Sequence, residues 1–152
     1  MREIQCRLLI IGAGPGGYVC AIRAGQLGVD TVIVDAEPPG GTCLNVGCIP
    51  SKALIHAAEE FHRITRLSTT AAMGIAATGV TLDLAATMAW KDGIVGRLTA
   101  GVTTLVRKAK VRLVTGRAAL RDGKTAVVET PEGPVQIRAE ALVLATGSEP
   151  VE

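Results

Sequence analysis

Cys43 and Cys48, five positions apart, are the residues best able to carry covalent chemistry in this sequence. They lie in the run Gly41-Thr42-Cys43-Leu44-Asn45-Val46-Gly47-Cys48-Ile49-Pro50-Ser51-Lys52. On a regular α-helix their Cα atoms would stand about 8–9 Å apart on separated faces, whereas a disulfide needs roughly 4.4–6.8 Å. The pair can bridge only if the helix is distorted between them, and Gly47 and Pro50 are suited to cause that. A bridge closed over so short and strained a segment is reducible, which suits a catalyst better than a staple. A position near a helix start also lowers a thiol pKa and favours thiolate. Two other readings stay open. One is a pair of structural cysteines with no bond. The other is half of a zinc site completed by His56 and His62, although structural zinc usually has tighter spacing and a second matching pair. His56 and His62 also fall mostly on opposite faces of a helix. Cys6 and Cys20 read as core packing.

Gly12, Gly14 and Gly17 stand at the G-x-G-x-x-G spacing, with Pro15 inside it, after the apolar run Leu8 to Ile11. Gly12 permits a tight turn, Gly14 lets a pyrophosphate approach the backbone, and Gly17 lets a helix pack closely on a strand. The unpaired N–H groups of the first helical turn then hold the anion. Asp35 closes the next apolar run, Thr31 to Val34, and is placed to accept hydrogen bonds from ribose hydroxyls. No Arg or Lys directly follows it, which argues against a 2′-phosphate and so against NADP. The pattern by itself does not choose between FAD and NAD. The competing reading is a glycine-rich turn with no ligand.

The elements that must position these residues follow from periodicity. Leu8 to Ile11 and Thr31 to Val34 read as strands covered on both faces. A helix from about Gly16 to Leu27 joins them, with Gly28 as its C′ residue and Gly17, Cys20, Ala21 and Ala24 against the sheet. Pro38 to Gly41 is a loop. Thr42 to about Leu67 is helical, with Ala53, Leu54, Ala57, Ala58 and Phe61 as its apolar face. Ser68 to Thr81 reads as irregular. Asp83 caps a long helix whose stripe is Leu84, Met88, Val95, Leu98, Val102 and Leu105; Gly93, Gly96 and Gly101 weaken it. Val111 to Val114 is a third strand. Turn signals at Asp122-Gly123 and Pro131-Glu132-Gly133 mark a small antiparallel meander, and Ala141 to Ala145 is a last buried strand before Thr146-Gly147-Ser148. The expected fold is α/β: a Rossmann-like parallel sheet with flanking helices and a meander inserted before the final strand.

Composition narrows the function. The chain has 152 residues, enough for one domain. Sixteen Lys and Arg against fourteen Asp and Glu give a net charge of +2, too balanced for a nucleic-acid or anionic-membrane surface. Tyr18, Phe61 and Trp90 are the only aromatic residues, so the core is aliphatic and a base-stacking platform is excluded. No apolar run approaches a membrane span. The N-terminal Arg2, Arg7 and Leu8 to Ile11 have too short an apolar stretch for a signal peptide. This places the chain in the cytoplasm, where thiols stay reduced unless they are redox catalysts.

Three segments, GAGPGGYVCAIRAGQLG, GGTCLNVGCIPSKALIHAAEEFH and LVLATGSEP, resemble the N-terminal FAD region of the dihydrolipoamide dehydrogenases. These belong to the pyridine nucleotide–disulfide oxidoreductase family, and the resemblance covers the whole chain. WKDGIVGRLTAGV resembles the members that serve branched-chain 2-oxoacid complexes, and CLNVGCIPSK is nearer to lipoamide than to glutathione reductases. The resemblance implies that residues 1–152 are an FAD-binding domain in which Cys43 is the interchange thiol and Cys48 the thiolate beside the flavin. Lys52 would lie near the reactive edge of the flavin. Gly12, Gly14, Pro15, Gly17, Asp35, Gly41 and Thr42 would hold FAD, Thr146, Gly147 and Ser148 would form a second contact, and the backbone near Ala118 would meet the adenine. It also implies oxidation of dihydrolipoamide, free or on a lipoyl domain of a 2-oxoacid dehydrogenase complex, with NAD⁺ reduced by a homodimer. Family members continue through an NAD domain and an interface domain that supplies an acid–base pair across the dimer. A chain stopping at Glu152 is therefore expected to turn over little or not at all. A non-catalytic FAD-binding module and a related glutathione or mercuric reductase are the alternatives.

Overall fold

The computed structural model describes residues 2–70 and 74–148. The elements run β1 (Arg2–Ile11), α1 (Pro15–Gln26), β2 (Thr31–Asp35), α2 (Gly41–Asn45), α3 (Cys48–Thr70), α4 (Leu84–Lys108), β3 (Arg112–Thr115), β4 (Arg117–Leu120), β5 (Thr125–Thr130) and β6 (Gly133–Leu144). One six-stranded sheet has the order β3-β2-β1-β6-β5-β4. Its first four strands are parallel and its last three form the antiparallel meander. The expected fold class is the one found.

Two of the strands are longer than the sequence pattern suggests, for one reason. β1 begins at Arg2 rather than Leu8, and its first half alternates exposed and inward residues while Leu9 and Ile10 are both fully buried. The alternating half lies beside the meander, with one side in water. The continuous half lies in the doubly covered parallel sheet. At the join, the Asp30 carbonyl accepts from both Arg7 N–H and Leu8 N–H, and inward parity changes from Ile4 and Cys6 to Leu9 and Ile11. β6 mirrors this. Ala141 and Leu144 are exposed, which corrects the reading of Ala141 to Ala145 as a buried strand, and the strand ends at Leu144.

The core has two halves on opposite faces of the sheet. Leu9, Val32 and Val34 meet Ala126, Val128, Val135 and Ile137 of the meander on one side. Ile10 and Ile33 meet Ala21 of α1 and Val102, Val106 and Ala109 at the end of α4 on the other. The meander is folded over the parallel sheet by the run 112–120, which pairs with β2 first and with β5 after Gly116. A Cβ on Gly116 would come within 2.4 Å of the Glu129 carbonyl oxygen, so no larger residue fits this crossing.

The two long helices depart from expectation in what they cover. Asp83 caps α4 as expected, its carboxylate accepting from Ala86 N–H at 3.0 Å. Of the expected stripe, Val95 is half-buried and Val102 buried, but Leu84, Met88, Leu98 and Leu105 are exposed. On α3, Ala53 is buried and Leu54, Ala57 and Phe61 half-buried, while Ala58 is exposed. Only the C-terminal end of α4 reaches the sheet. The rest of α4 lies against α3, so a stripe drawn along its whole length has a buried end and an open end. α3 also continues to Thr70. The irregular stretch expected over 68–81 falls partly on residues outside those described, as do the last residues of LVLATGSEP.

Candidate active site

The glycine turn occupies the place its spacing predicts. Gly12 has φ 103°, its N–H donates to the Val34 carbonyl, and α1 starts at Pro15 with Gly14 as N-cap. A Cβ on Gly17 would lie 1.8 Å from the Gly12 carbonyl oxygen, and one on Gly12 would lie 2.1 Å from that of Ala145. Turn, helix and the end of β6 therefore meet backbone to backbone, which brings Thr146 beside Gly12. Thr146, Gly147 and Ser148 are exposed there. The first-turn N–H groups of α1 have no side-chain cap, which leaves them available to an anion.

Asp35 sits at the end of β2, half-buried, and does something the sequence did not reveal. One carboxylate oxygen accepts from Ala13 N–H at 2.5 Å and the other from Glu37 N–H at 3.0 Å. It thus ties the glycine turn to the loop after β2, while each oxygen keeps a further lone pair for a ligand hydroxyl. Ala118 stands on β4, paired with Val128 of β5, with its side chain against the meander core.

The cysteine run starts directly on this turn. Gly40 N–H donates to the Ala13 carbonyl at 2.8 Å. Gly41 has φ 62°, and a Cβ there would come within 2.6 Å of the Gly14 Cα, so the start of α2 is pressed onto the turn. α2 then ends at Asn45, Val46 leaves helical geometry with φ −134°, and α3 opens at Cys48. The expected single helix from Thr42 is two helices, broken between the cysteines. Gly47 marks the break, since a Cβ there would press within 2.8 Å of the Thr42 carbonyl oxygen. Pro50 is not the cause. It lies in the first turn of α3, where its missing N–H leaves no helical bond unmade.

The break sets the two cysteines close enough for their thiols to interact, and both are free. The hydrogen bond to Cys48 holds the Cys43 thiol above its ordinary pKa. The same bond, followed by the charge of Lys52 one turn along α3, draws Cys48 below it. The pair is therefore asymmetric: Cys43 is the weaker acid of the two and Cys48 the stronger. Cys48 is exposed and Cys43 half-buried. Among the described residues, no third His, Cys, Asp or Glu joins them in a metal-binding group. His56 instead faces Trp90 of α4, with ring centroids 6.5 Å apart.

Sequence reasoning missed Asn45 and Thr99. The Asn45 amide donates to the Pro38 carbonyl at 2.8 Å and its oxygen accepts from Thr99 Oγ1 at 3.2 Å. These bonds fix α2 to its entry loop and to α4. The available signal was a polar residue between two cysteines, where a helix facing the core would carry an apolar one.

Comparison with known proteins agrees with this arrangement. A family model described as pyridine nucleotide-disulphide oxidoreductase matches residues 6–152. The chain is 53% identical to a dihydrolipoyl dehydrogenase of Pseudomonas aeruginosa, over 98% of its own length and 32% of that protein. It is 45% identical to one of Geobacillus stearothermophilus, covering 98% of this chain and 31% of the relative. It thus spans about a third of the relatives it matches. Among solved structures, the HOCl-induced flavoprotein disulfide reductase RclA of Escherichia coli, in a Cu(II) complex, shares the fold with TM-score 0.80 at 23% identity, over 97% of this chain and 30% of that one. With its glycine turn, its asymmetric dithiol and a match over nearly its whole length, the chain belongs to the pyridine nucleotide-disulphide oxidoreductase family.

Proposed function

We propose that residues 1–152 form the FAD- and dithiol-bearing domain of a flavoprotein that oxidises dihydrolipoamide and passes the electrons to NAD⁺. The observation that carries this reading is the junction of the two devices. Gly41 rests on Gly14, so a redox dithiol begins where a dinucleotide phosphate would be held. The names of the relatives supply the substrate.

The residues fit FAD. The glycine turn leaves a cradle that side chains would fill, and Gly12, Gly14, Pro15 and Gly17 would hold the pyrophosphate against the start of α1. Asp35 would take the ribose hydroxyls. Gly41, Thr42, Lys52, Thr146, Gly147 and Ser148 would line the remainder, with the backbone near Ala118 at the adenine. Bound there, FAD supplies a two-electron acceptor for the reduced cysteines.

The chemistry of the chain itself is thiol–disulfide exchange. From the oxidised pair, a substrate thiolate attacks Cys43 Sγ, the Cys43–Cys48 bond breaks, and Cys48 leaves as thiolate. The lower-pKa sulfur is the better leaving group, which matches the asymmetry of the pair. The second substrate thiol then gives up its proton and attacks the substrate sulfur of the mixed disulfide. This releases cyclic lipoamide and returns Cys43 as the sulfur that holds a proton. The dithiol substrate is oxidised by two electrons and the cysteine pair reduced by two. A lipoyl domain of a 2-oxoacid dehydrogenase complex and a second copy of the whole protein are the partners this reading implies. The cytoplasm is the compartment this reading implies, where thiols other than redox catalysts stay reduced, and no described helix is long and apolar enough to cross a membrane.

A visible spectrum of the purified chain with FAD, before and after dihydrolipoamide, tests the proposal. Flavin bands that follow the protein through gel filtration, with a new long-wavelength shoulder after dithiol, are the expected result. The shoulder should vanish in Cys48→Ser. A chain that retains no flavin, or a shoulder that survives Cys48→Ser, overturns the roles assigned here.

A further inference from the structure

The outer face of the meander carries a second group of chemistry-bearing residues, separate from the glycine turn and the cysteines. Strand register places two cross-strand pairs there, Thr125 opposite Arg138 and Val127 opposite Gln136. The alternate residues, Ala126, Val128, Val135 and Ile137, point into the core. The β4–β5 turn adds Arg121, Asp122 and Lys124 as a rim, and together these residues enclose an open basin of about 670 Å³.

The turn is held rigid from within. Arg121 N–H donates to the Thr125 carbonyl at 2.8 Å, and the Lys124 carbonyl accepts from Ala139 N–H of β6 at 2.8 Å. The Asp122 carboxylate accepts from Lys124 N–H at 2.8 Å, and this bond, with help from Thr125 and the charge of Arg138, lowers its pKa from the ordinary value. The basin's one carboxylate is thus bonded to the turn's own backbone, and three cations stand against its single negative charge. None of Arg121, Lys124 and Arg138 forms an ion pair among the described residues.

Three cations from two elements, with the Gln136 amide and the Thr125 hydroxyl between them, suit an anion with oxygens in several directions. A tetrahedral phosphate offers more such directions than a single planar carboxylate, although Arg pairs with both. The only apolar lining residue, Val127, is nearly covered, so the basin has no anchor pocket for an acidic peptide. It also has no aromatic ring for a nucleic-acid base. We propose that this basin is a binding site for a small diphosphate or oligophosphate anion, clamped by Arg121, Lys124 and Arg138.

Inorganic pyrophosphate is the probe, titrated calorimetrically into the 152-residue chain at fixed ionic strength. Because pyrophosphate can also enter the glycine turn, the deciding comparison is a double variant, Lys124→Gln with Arg138→Gln. Both residues are exposed, so the fold should tolerate the change. Losing two charge-assisted contacts should weaken binding about tenfold or more, while any FAD uptake by the glycine turn stays unchanged. A smaller loss places the pyrophosphate elsewhere and overturns the proposal, as does the absence of binding to the wild-type chain. Citrate binding as tightly as pyrophosphate would overturn the assignment to phosphate.

Discussion

The glycine turn and the α3–α4 pair are both rich in small and apolar residues, yet they are built on opposite terms. Around the turn, Gly12, Gly17 and Gly41 press on neighbouring backbone, Leu9, Ile10 and Val32 to Val34 are fully buried, and Asp35 satisfies two N–H groups. Along the outer part of α3–α4, Gly96 and Gly101 have nothing within 4 Å of where a Cβ would stand, and Ile55, Leu84, Leu98 and Trp90 are exposed. A glycine or a leucine therefore means different things in the two places. In the first, residue type is dictated by what it touches. In the second, the amphipathic pattern is present but only its sheet end is covered, so little of the fold's stability rests there.

The sharpest way to break this comparison is Gly17→Ala. The new methyl would overlap the Gly12 carbonyl oxygen and drive α1 away from β1. We expect roughly 3 kcal/mol or more of lost stability, at the large end for single substitutions, and loss of any FAD binding. Urea denaturation of the chain measures the first and flavin retention the second. A loss under about 1 kcal/mol would mean that the turn is not rigid and that the contrast fails.

Next in size is a pair of truncations on α4 itself. Val106 is 1% exposed and packs in the helix-side core, whereas Leu98, two turns earlier, is 42% exposed. Val106→Ala should cost about 2 kcal/mol through lost burial and a residual cavity, and Leu98→Ala about 0.5 kcal/mol or less. Equal losses would show that the outer part of α4 is covered in solution.

The two regions also differ in how far the sequence exposes them. The strand, glycine turn, helix and terminal acid were legible because each residue there answers a backbone requirement that its type reveals. The break between Cys43 and Cys48 was legible only in part. The pattern reads as one helix from Thr42 that a bridge would require Gly47 and Pro50 to distort, and Gly47 alone marks the break. The Asp83 cap and the Asp122 turn were local and equally plain. What stayed hidden depends on distant chain. The first half of β1 looks polar because its outer face meets water beside a meander that lies more than a hundred residues later. Gly116 carries no turn signal, because its constraint is the Glu129 carbonyl reached only after the sheet folds over itself. The exposed Leu84 and Leu98 could not be foretold, since periodicity shows that a face is apolar and not what covers it. Asp35 was placed at the strand end from the sequence, but its bond to Ala13 depends on how the glycine turn folds back over β2.

Where the cysteines meet the turn, the comparison becomes chemical. Cys48 lies below the ordinary thiol range because Cys43 donates to it, with Lys52 assisting. With its pKa lowered, Cys48 is thiolate at a lower pH than a free cysteine near 8.5. Alkylation of Cys48 should therefore rise with pH earlier than that of a free thiol and level off sooner. Cys43→Ala removes the donor and should shift that rise to higher pH, and Lys52→Gln should shift it less. Cys43 should titrate in the opposite sense, remaining protonated beyond the free-thiol range while Cys48 is charged. Mass spectrometry of iodoacetamide adducts at each site follows both curves, and coincident curves would show that the two thiols are not coupled.

The smallest expected effect bears most directly on the contrast, because it repeats the first substitution with the opposite sign. Gly96 lies inside α4 with open space where its Cβ would be. Alanine there meets no atom, lowers the conformational entropy of the unfolded chain and raises helix propensity, so Gly96→Ala should stabilise by about 0.5–1 kcal/mol. Gly17 is also a helical glycine, yet the same added methyl should destabilise at several times that size. The difference is not propensity, which is alike at the two sites, but the carbonyl oxygen of Gly12. If Gly96→Ala also destabilises, then something covers α4 closely enough to need glycine, and the open end of the helix pair is an interface. If it stabilises, glycine at that position answers to no contact within this domain.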